Sequence, residues 1–248
     1  MFSCSNTGKL MYLGFDDTDI AGYSRGTGRC IRDFCASLDN RYALRCILRH
    51  QLPKLPDIPY TSNNSSACAV LWCEASLPLA DLFGAAVDYL SKETPDGSDP
   101  GVCLAAQDAI TDEHVSFSLA CNGGKVTQKD AMKATTNVLL AGVGGTEDGI
   151  IGAAAAVGLT KYGWCGRFIE LGAMRSLPST VTVEELSKLG IRVVSVDRDP
   201  LVPLGNDVVT TDDWLRPSLL AGQPVLQVRS SGKGTWTTAL SKKTSQKA

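Results

Sequence analysis

The 248-residue sequence has little excess charge, no C-x-x-C pair and no long hydrophobic run. Its formal net charge of −2 differs from the basic excess that is usual in proteins that grip nucleic acid. The missing C-x-x-C argues against a zinc ribbon or finger. No apolar run approaches the roughly 20 residues of a membrane helix, and the segment Met1–Asn6 does not resemble a signal peptide. We therefore expect a cytoplasmic protein with a small-molecule substrate, no membrane contact and nucleic acid as an unlikely partner.

The residues that are present are typical of a globular protein with a full core. Apolar residues make up 44% of the chain and charged residues 20%, which is ordinary for a folded domain. The nine cysteines lie mostly in apolar segments and are expected to be reduced and buried. His50 and His114 are far apart, and each is interpreted as structural. Length allows one large or two small domains, and we divide the chain into residues 8–110, residues 111–240 and a flexible tail, 241–248.

Hydrophobic periodicity predicts alternating strands and helices in the first half of the chain. The predicted order is strand Leu10–Phe15, a helix from Arg29, strands Ala43–Leu52 and Ala67–Ala75, helix Leu79–Leu90 and strand Gly101–Ala106. Further helices are predicted at Gln128–Ala141 and Ile150–Leu159. The order β-α-β-β-α-β is ferredoxin-like. The predicted fold class is therefore α+β, with ferredoxin-like βαββαβ elements and two intertwined α/β subdomains.

Three carboxylates, Asp16, Asp17 and Asp19, follow the first predicted strand within four positions. Gathered negative charges repel each other unless a cation neutralises them. Mg²⁺ prefers carboxylate oxygens and commonly bridges them to substrate phosphates, and open α/β sheets place ligands at strand ends. Metal binding and catalysis by these residues are one interpretation, and a solvated acidic turn is the other.

The loop that precedes the first predicted helix has features of an anion site. Gly26 and Gly28 permit close backbone approach, and a helix start presents free N–H groups. Arg29 can donate to phosphate oxygens, and the Thr27 hydroxyl can bond to phosphate or accept a phosphoryl group. The alternative is an ordinary glycine-rich turn with surface arginines.

Two other polar segments are candidates for ligand contact. Gly142–Gly149 contains four glycines but lacks the P-loop lysine, so it predicts either a backbone cradle for a nucleotide or a simple turn. Within this segment, Glu147 and Asp148 are candidates either to orient a ribose or a metal, or to cap the next helix. Asn63 and Asn64 offer donors and acceptors, and binding and turn-forming roles are equally open for them.

Four segments, in order and in rough spacing over about residues 10–175, resemble the motifs of one family. They are Gly14–Asp19 (G-I-D-D-T-D in the family), Pro56–Asn64 with Ala67–Val70 (N-I-P…N-A-A-V), Asp99–Val102 (N-P-G-V) and Gly144–Ala153 (G-G-R-G-L-I-G-A). The family is the archaeal synthetase that attaches agmatine to a cytidine of isoleucine tRNA. The chain resembles its kinase-like and ferredoxin-like half, without the OB-fold and zinc-ribbon domains.

This resemblance implies a kinase-like site for ATP and Mg²⁺. In the family, a cytosine oxygen is phosphorylated and an amine then displaces the phosphate. Carried over, the acidic turn supplies the catalytic and metal-binding residues Asp16, Asp17 and Asp19, with Thr27. The implied nucleotide-binding residues are Thr18, Gly26, Gly28, Arg29, Gly144, Gly145, Glu147, Asp148 and Gly149. The implied substrate-binding residues are Asn63, Asn64 and Asp99.

One segment departs from the family pattern. The family has G-x-C-T-T, with a phosphorylated threonine, where this chain has Gly26–Cys30 with Thr27 as the nearest hydroxyl. The predicted function is a Mg-ATP-dependent phosphotransferase or ligase-like enzyme acting on a small molecule. The alternatives are a nucleotide-binding regulatory protein without turnover and the catalytic subunit of an RNA-modifying complex.

Overall fold

A computed structural model describes residues 8–58, 60–61, 63–211 and 215–240. The segment Met1–Asn6 and the predicted tail, 241–248, lie outside the described residues. The chain divides into two compact units that meet in sequence at Gly166 and Arg167. This division falls later than the one placed after residue 110 from the sequence, because helices beyond residue 110 pack on strands that precede it.

The first unit is an antiparallel sheet with helices packed on it. Its elements are β1 (Gly8–Asp16), α1 (Thr27–Ser37), β2 (Tyr42–Gln51), β3 (Ser65–Glu74), α2 (Leu79–Glu93), β4 (Gly101–Ala106), α3 (Asp112–Gly123), α4 (Gln128–Ala134), β5 (Leu139–Gly142) and α5 (Gly149–Tyr162). The strand order is β5-β4-β1-β3-β2, with every neighbouring pair antiparallel. The predicted β-α-β-β-α-β order and the α+β class are confirmed.

Helix α5 forms the centre of the core in this unit. Its residues Ala153–Ala156 are completely buried, and the helix packs on β1, β3 and β4. Small side chains let a helix approach a sheet closely, and at Gly14 of β1 the approach is between backbones. A Cβ at Gly14 would lie 2.2 Å from the carbonyl oxygen of Ala153, a distance that real Cβ atoms do not reach. Only glycine is therefore compatible with this contact between β1 and α5.

Two predictions in the middle of the chain are wrong. The helix expected over Gln128–Ala141 ends at Ala134, and residues Leu139–Gly142 pair with β4 as strand β5. Helix α3 is absent from the sequence-based assignment, because its buried face alternates polar and apolar residues and gives no apolar stripe. The buried residues of α3 are His114, Phe117, Ser118 and Cys121.

The second unit is mostly strand. Its elements are β6 (Arg167–Leu171), β7 (Thr180–Thr182), α6 (Val183–Lys188), β8 (Arg192–Ser195), β9 (Val208–Thr210), β10 (Ser218–Leu220), β11 (Gln223–Gly232) and β12 (Thr235–Thr238). The strand order within the unit is β6-β10-β11-β12-β9-β7, with β8 parallel to β11. Helix α6 begins with a capping box, in which Thr182 and Glu185 each bond to the backbone of the other. None of the described helices has the length and apolar character needed to cross a membrane.

Both histidines bond to α5 inside the core. The Nε2–H of His114 donates to the carbonyl oxygen of Ala154 at 2.8 Å. The Nε2 of His50 lies 2.8 Å from Oγ1 of Thr160, whose hydroxyl donates to the carbonyl oxygen of Ala156, so we assign the proton to Nε2 of His50. Burial lowers the pKa of His50 to about 3. The neutral imidazole is thus part of the folded core.

We expect His50 to make the folded state acid-sensitive. An unfolded histidine has a pKa near 6.5, so its stabilising contribution is complete above that pH and is lost as the pH falls toward 3. His50→Gln keeps an N–H donor at the Nε2 position and cannot titrate. Between pH 7.5 and pH 4.5, denaturant unfolding should show the variant gaining about 3 kcal/mol relative to the original chain. Parallel pH profiles for the two proteins would contradict this assignment.

Candidate functional site

A cavity of about 450 Å³ lies in the first unit, where β1 ends and α1 and α5 begin. The loop between β2 and β3 and the segment between α3 and α4 complete its lining. Several residues that the sequence predicted to be functional are brought together here. They are Asp16, Asp17, Asp19, Thr27, Asn63, Asn64, Asp148 and Gly149.

Asp16 is the most enclosed of the carboxylates. It is the last residue of β1 and faces Gly152 of α5, where a Cβ would lie 1.7 Å from the carboxylate oxygen Oδ2. Burial is the main cause that raises the pKa of Asp16 to about 8, and the charges of Asp17 and Asp19 raise it further. Asp16 therefore prefers a proton, or a cation in its place, at neutral pH.

Asp17 lies in the left-handed backbone region, with φ of 49°, which aspartate tolerates better than most residues. Its carbonyl oxygen accepts a bond from the backbone N–H of Asp99 at 3.3 Å. Burial raises the pKa of Asp17 to about 6, with further contributions from the charges of Asp99, Asp19 and Asp148. Burial also raises the pKa of Asp19, while the Thr61 hydroxyl that donates to it at 3.1 Å lowers it.

The carboxylate oxygens of the acidic turn are a suitable type of ligand for a hard cation. The turn does not bring enough of them together to complete the coordination shell of the ion. Carboxylate oxygens are the donors that Mg²⁺ prefers. However, within the described ranges, no group of three or more His, Cys, Asp or Glu side chains is arranged to hold a metal ion. The residues thus fit an ion that takes one or two protein carboxylates and completes its shell with phosphate oxygens and water.

The Gly142–Gly149 loop is held in place by Asp99, which does not line the cavity. One carboxylate oxygen of Asp99 accepts from the backbone N–H of Glu147 at 2.7 Å. The other accepts from the Thr146 hydroxyl at 2.5 Å and from the backbone N–H of Asp148 at 3.1 Å. Asp99 therefore has a structural role in holding this loop, and the contact implied between Asp99 and a substrate stays a prediction. Of the five nucleotide-binding residues predicted in this loop, Asp148 and Gly149 line the cavity, and Gly144, Gly145 and Glu147 do not.

The predicted anion loop before α1 contributes one hydroxyl group to the cavity. Thr27 lines it and accepts a hydrogen bond from the buried Thr18 hydroxyl at 3.2 Å. Arg29 lies two residues, or about 200° of helical rotation, from Thr27 and pairs with Asp33 at 3.7 Å. Thr18, Gly26, Gly28 and Arg29 are not among the described lining residues, so the phosphate contact predicted for Arg29 stays a prediction.

The same cavity is also lined by two lysines, which were not predicted from the sequence. Lys125 and Lys129 lie on the segment between α3 and the first turn of α4, and both are exposed. Neither has a described carboxylate within the 4.0 Å of an ion pair. The available sequence signal was the glycine pair Gly123–Gly124 directly before Lys125, since Gly-Gly pairs mark turns and loops.

Comparison with known proteins gives structural neighbours only. No protein-family model matches the sequence, and no curated protein matches it. Solved structures that match include a complex of TiaS, an agmatidine synthetase, with an isoleucine tRNA and ATP (17% identity, TM-score 0.51). They also include a complex of TiaS with the same tRNA, AMPCPP and agmatine (15%, 0.51) and a tRNA fluorescent labeling enzyme (17%, 0.50). Each match covers 60% of this chain and 36% of the neighbour, so the likeness establishes a shared fold.

These neighbours correct one expectation. The near-neutral charge was interpreted as evidence against a nucleic-acid partner, yet two of the structures with this fold are complexes with tRNA. Net charge sums over the whole chain and does not describe the local surface that touches a polyanion. Nucleic acid is therefore not excluded as a partner.

We expect Gly152 to be required for the position of Asp16. Gly152→Ala should lower the free energy of unfolding by roughly 1–3 kcal/mol, because the new methyl group overlaps the carboxylate. Gly84→Ala is a matched control in an exposed part of α2, where a Cβ has nothing within 4 Å. That control should gain about 0.5–1 kcal/mol. Denaturant unfolding measures both variants.

The same substitution made in a protein that lacks the Asp16 carboxylate tests whether that carboxylate causes the loss of stability. In an Asp16→Ala protein, the overlap at position 152 disappears, so Gly152→Ala should cost clearly less than in the original chain. Equal costs in the two backgrounds would mean that the Asp16 carboxylate is not what excludes a side chain at position 152.

Proposed function

We propose that this chain is an ATP-dependent enzyme of the transferase or ligase type, which binds ATP with Mg²⁺ in the cavity. The observation that carries the proposal is the meeting of three carboxylates, Asp16, Asp17 and Asp19, with the Thr27 hydroxyl in that one cavity. The raised pKa values reflect an environment that disfavours the ionised carboxylates, which a bound cation would stabilise. Neighbours of the same fold that were solved with ATP and AMPCPP support the choice of nucleotide.

The acidic turn would hold Mg²⁺, which neutralises phosphate charge in phosphoryl-transfer enzymes. Since the described carboxylates do not form a complete set of metal ligands, phosphate oxygens are needed to complete the ion's shell. We therefore infer that ion and nucleotide bind together, and that neither binds tightly alone.

Thr27 is the proposed contact to the transferred phosphoryl group. The Thr27 oxygen accepts a hydrogen bond from the Thr18 hydroxyl. The hydrogen of the Thr27 hydroxyl is therefore available to donate to a phosphate oxygen. Buried Thr18 thereby fixes the orientation of the Thr27 hydroxyl at the first residue of α1. A hydroxyl whose orientation is fixed before the reaction stabilises the charge that develops in the transition state more effectively than one that must reorient.

Thermal unfolding with ligands tests the shared site. We expect ATP plus Mg²⁺ to raise the unfolding temperature, and each ligand alone to raise it much less. Asp17→Asn should abolish most of the shift, because it removes one of the charges that attract the ion. Asp88→Asn, at an exposed position of α2 outside the cavity, is the control and should behave like the original chain.

Two results would count against this site. Binding of ATP that needs no divalent ion would contradict the role of the acidic turn. A full temperature shift in Asp17→Asn would do the same. Stabilisation by Mg-ATP without any release of phosphate would instead favour a regulatory protein that binds nucleotide without turnover.

RNA is the acceptor that the fold comparison favours. The three neighbours described above are all tRNA-directed by their names. This chain spans about a third of those proteins, so a transfer of that activity to it is a proposal. The proposed reaction activates an RNA oxygen by phosphorylation, as an alternative to phosphorylation of a small molecule.

We expect total tRNA to stimulate the conversion of ATP to ADP by this chain, because the proposed step transfers the terminal phosphoryl group of ATP to an RNA oxygen. Thr27→Val should lower the stimulated rate by about 10²–10³-fold, in the range for loss of one stabilising donor, while Thr27→Ser should keep most of it. RNA affinity should fall as salt rises. Absence of both RNA affinity and RNA stimulation would remove RNA as the acceptor and leave phosphorylation of a small molecule as the alternative.

A further inference from the structure

Basic charge in the cavity comes from two side chains. Lys125 and Lys129 are the only arginine or lysine residues among the described residues that line it. The arginines closest in sequence to the acidic turn are engaged elsewhere. Arg25 pairs with Asp33 at 3.2 Å and Glu93 at 3.1 Å, outside the cavity. Any anion that enters the cavity therefore meets Lys125 and Lys129 as its cationic partners.

The segment that carries these lysines is held by hydrogen bonds on both sides. Thr127 and Asp130 form a capping box at the start of α4. Gln128 donates from Nε2 to the carbonyl oxygen of Thr146 at 2.6 Å and to Oδ1 of Asp148 at 2.7 Å. These bonds tie the lysine segment to the Gly142–Gly149 loop. The ammonium groups are thus presented from an ordered backbone while remaining exposed to a ligand.

The cavity as a whole carries both signs of charge. The carboxylates of Asp16, Asp17 and Asp19 attract a cation, and the ammonium groups of Lys125 and Lys129 attract an anion. Lys125 and Lys129 are not ion-paired with a described carboxylate, so the two sets do not neutralise each other. A polyphosphate with a bound divalent ion presents both charges in one ligand, and lysine is a common phosphate binder.

We propose that Lys125 and Lys129 bind the polyphosphate chain of the nucleotide, replacing the contact that the sequence assigned to Arg29. This inference rests on the proposed function, because it identifies which residues hold the phosphates in the same cavity. It adds a binding role for the segment between α3 and α4. Substitution there affects affinity and leaves the acidic turn intact.

Isothermal titration of the whole chain with Mg-ATP and with Mg-tripolyphosphate tests the inference. Lys125→Gln and Lys129→Gln should each weaken binding about tenfold, and the double variant about a hundredfold, as expected for loss of charge-assisted hydrogen bonds. Lys133→Gln is the control, since Lys133 is exposed on the same helix but does not line the cavity. Its affinity should match that of the original chain. All the substituted side chains are exposed, and circular dichroism verifies that the variants fold.

The outcomes separate this inference from the proposed function. Tripolyphosphate binding that depends on the two lysines, without ATP binding, would support the inference and defeat the proposal of ATP. Mg-ATP binding that the double variant retains within about twofold would overturn the inference alone, and so would a double variant that loses affinity for RNA but not for ATP. Failure of the original chain to bind either phosphate ligand would overturn both.

Discussion

The contact of α5 with the end of β1 is the constraint on which the site depends. Gly14 brings the two backbones together, and Gly152 leaves room for the Asp16 carboxylate directly above the helix. A side chain at either glycine would move α5 outward, and with it Asp148 and Gly149 at its start. The close packing that buries the alanines of α5 is thus also what encloses the acidic turn. The contact between β1 and α5, which depends on glycine and alanine, therefore forms both the core and one wall of the cavity.

That enclosure has an electrostatic consequence. Burial of Asp16 and Asp17 at the cavity raises their pKa values, and repulsion from neighbouring carboxylates raises them further. A folded chain that keeps these groups together gives up stability that a proton or a bound cation can restore. Sites that bind charged ligands are where such uncompensated groups are found most often. The electrostatic cost of gathering the carboxylates and the proposed affinity for Mg-ATP would therefore have one origin.

Local pattern was sufficient for the elements from β1 to β4. Strands with continuous apolar runs and the helix Leu79–Glu93 were predicted close to their observed bounds. The same pattern failed where burial is not apolar, as in α3 with its buried His114 and Ser118. Missing α3 meant missing the segment that follows it, so Lys125 was not recognised. Asp99 was found by motif, but its anchoring of the Gly142–Gly149 loop is a tertiary contact over nearly 50 positions that spacing does not encode.

The charge of this chain shows why composition misled about its partners. The net charge of −2 is a sum over the whole chain. A sum near zero is compatible with a surface that has few charges and equally with a cavity that holds charges of both signs. Here acidic and basic groups line one cavity without pairing, so the total charge does not describe the charges that a ligand meets there. A phosphate ligand responds to those nearby charges, because screening limits interactions in water to about 10 Å. Recognition of a nucleotide, or of the backbone of an RNA, is therefore decided by which side chains meet at the cavity rather than by the overall balance of acids and bases.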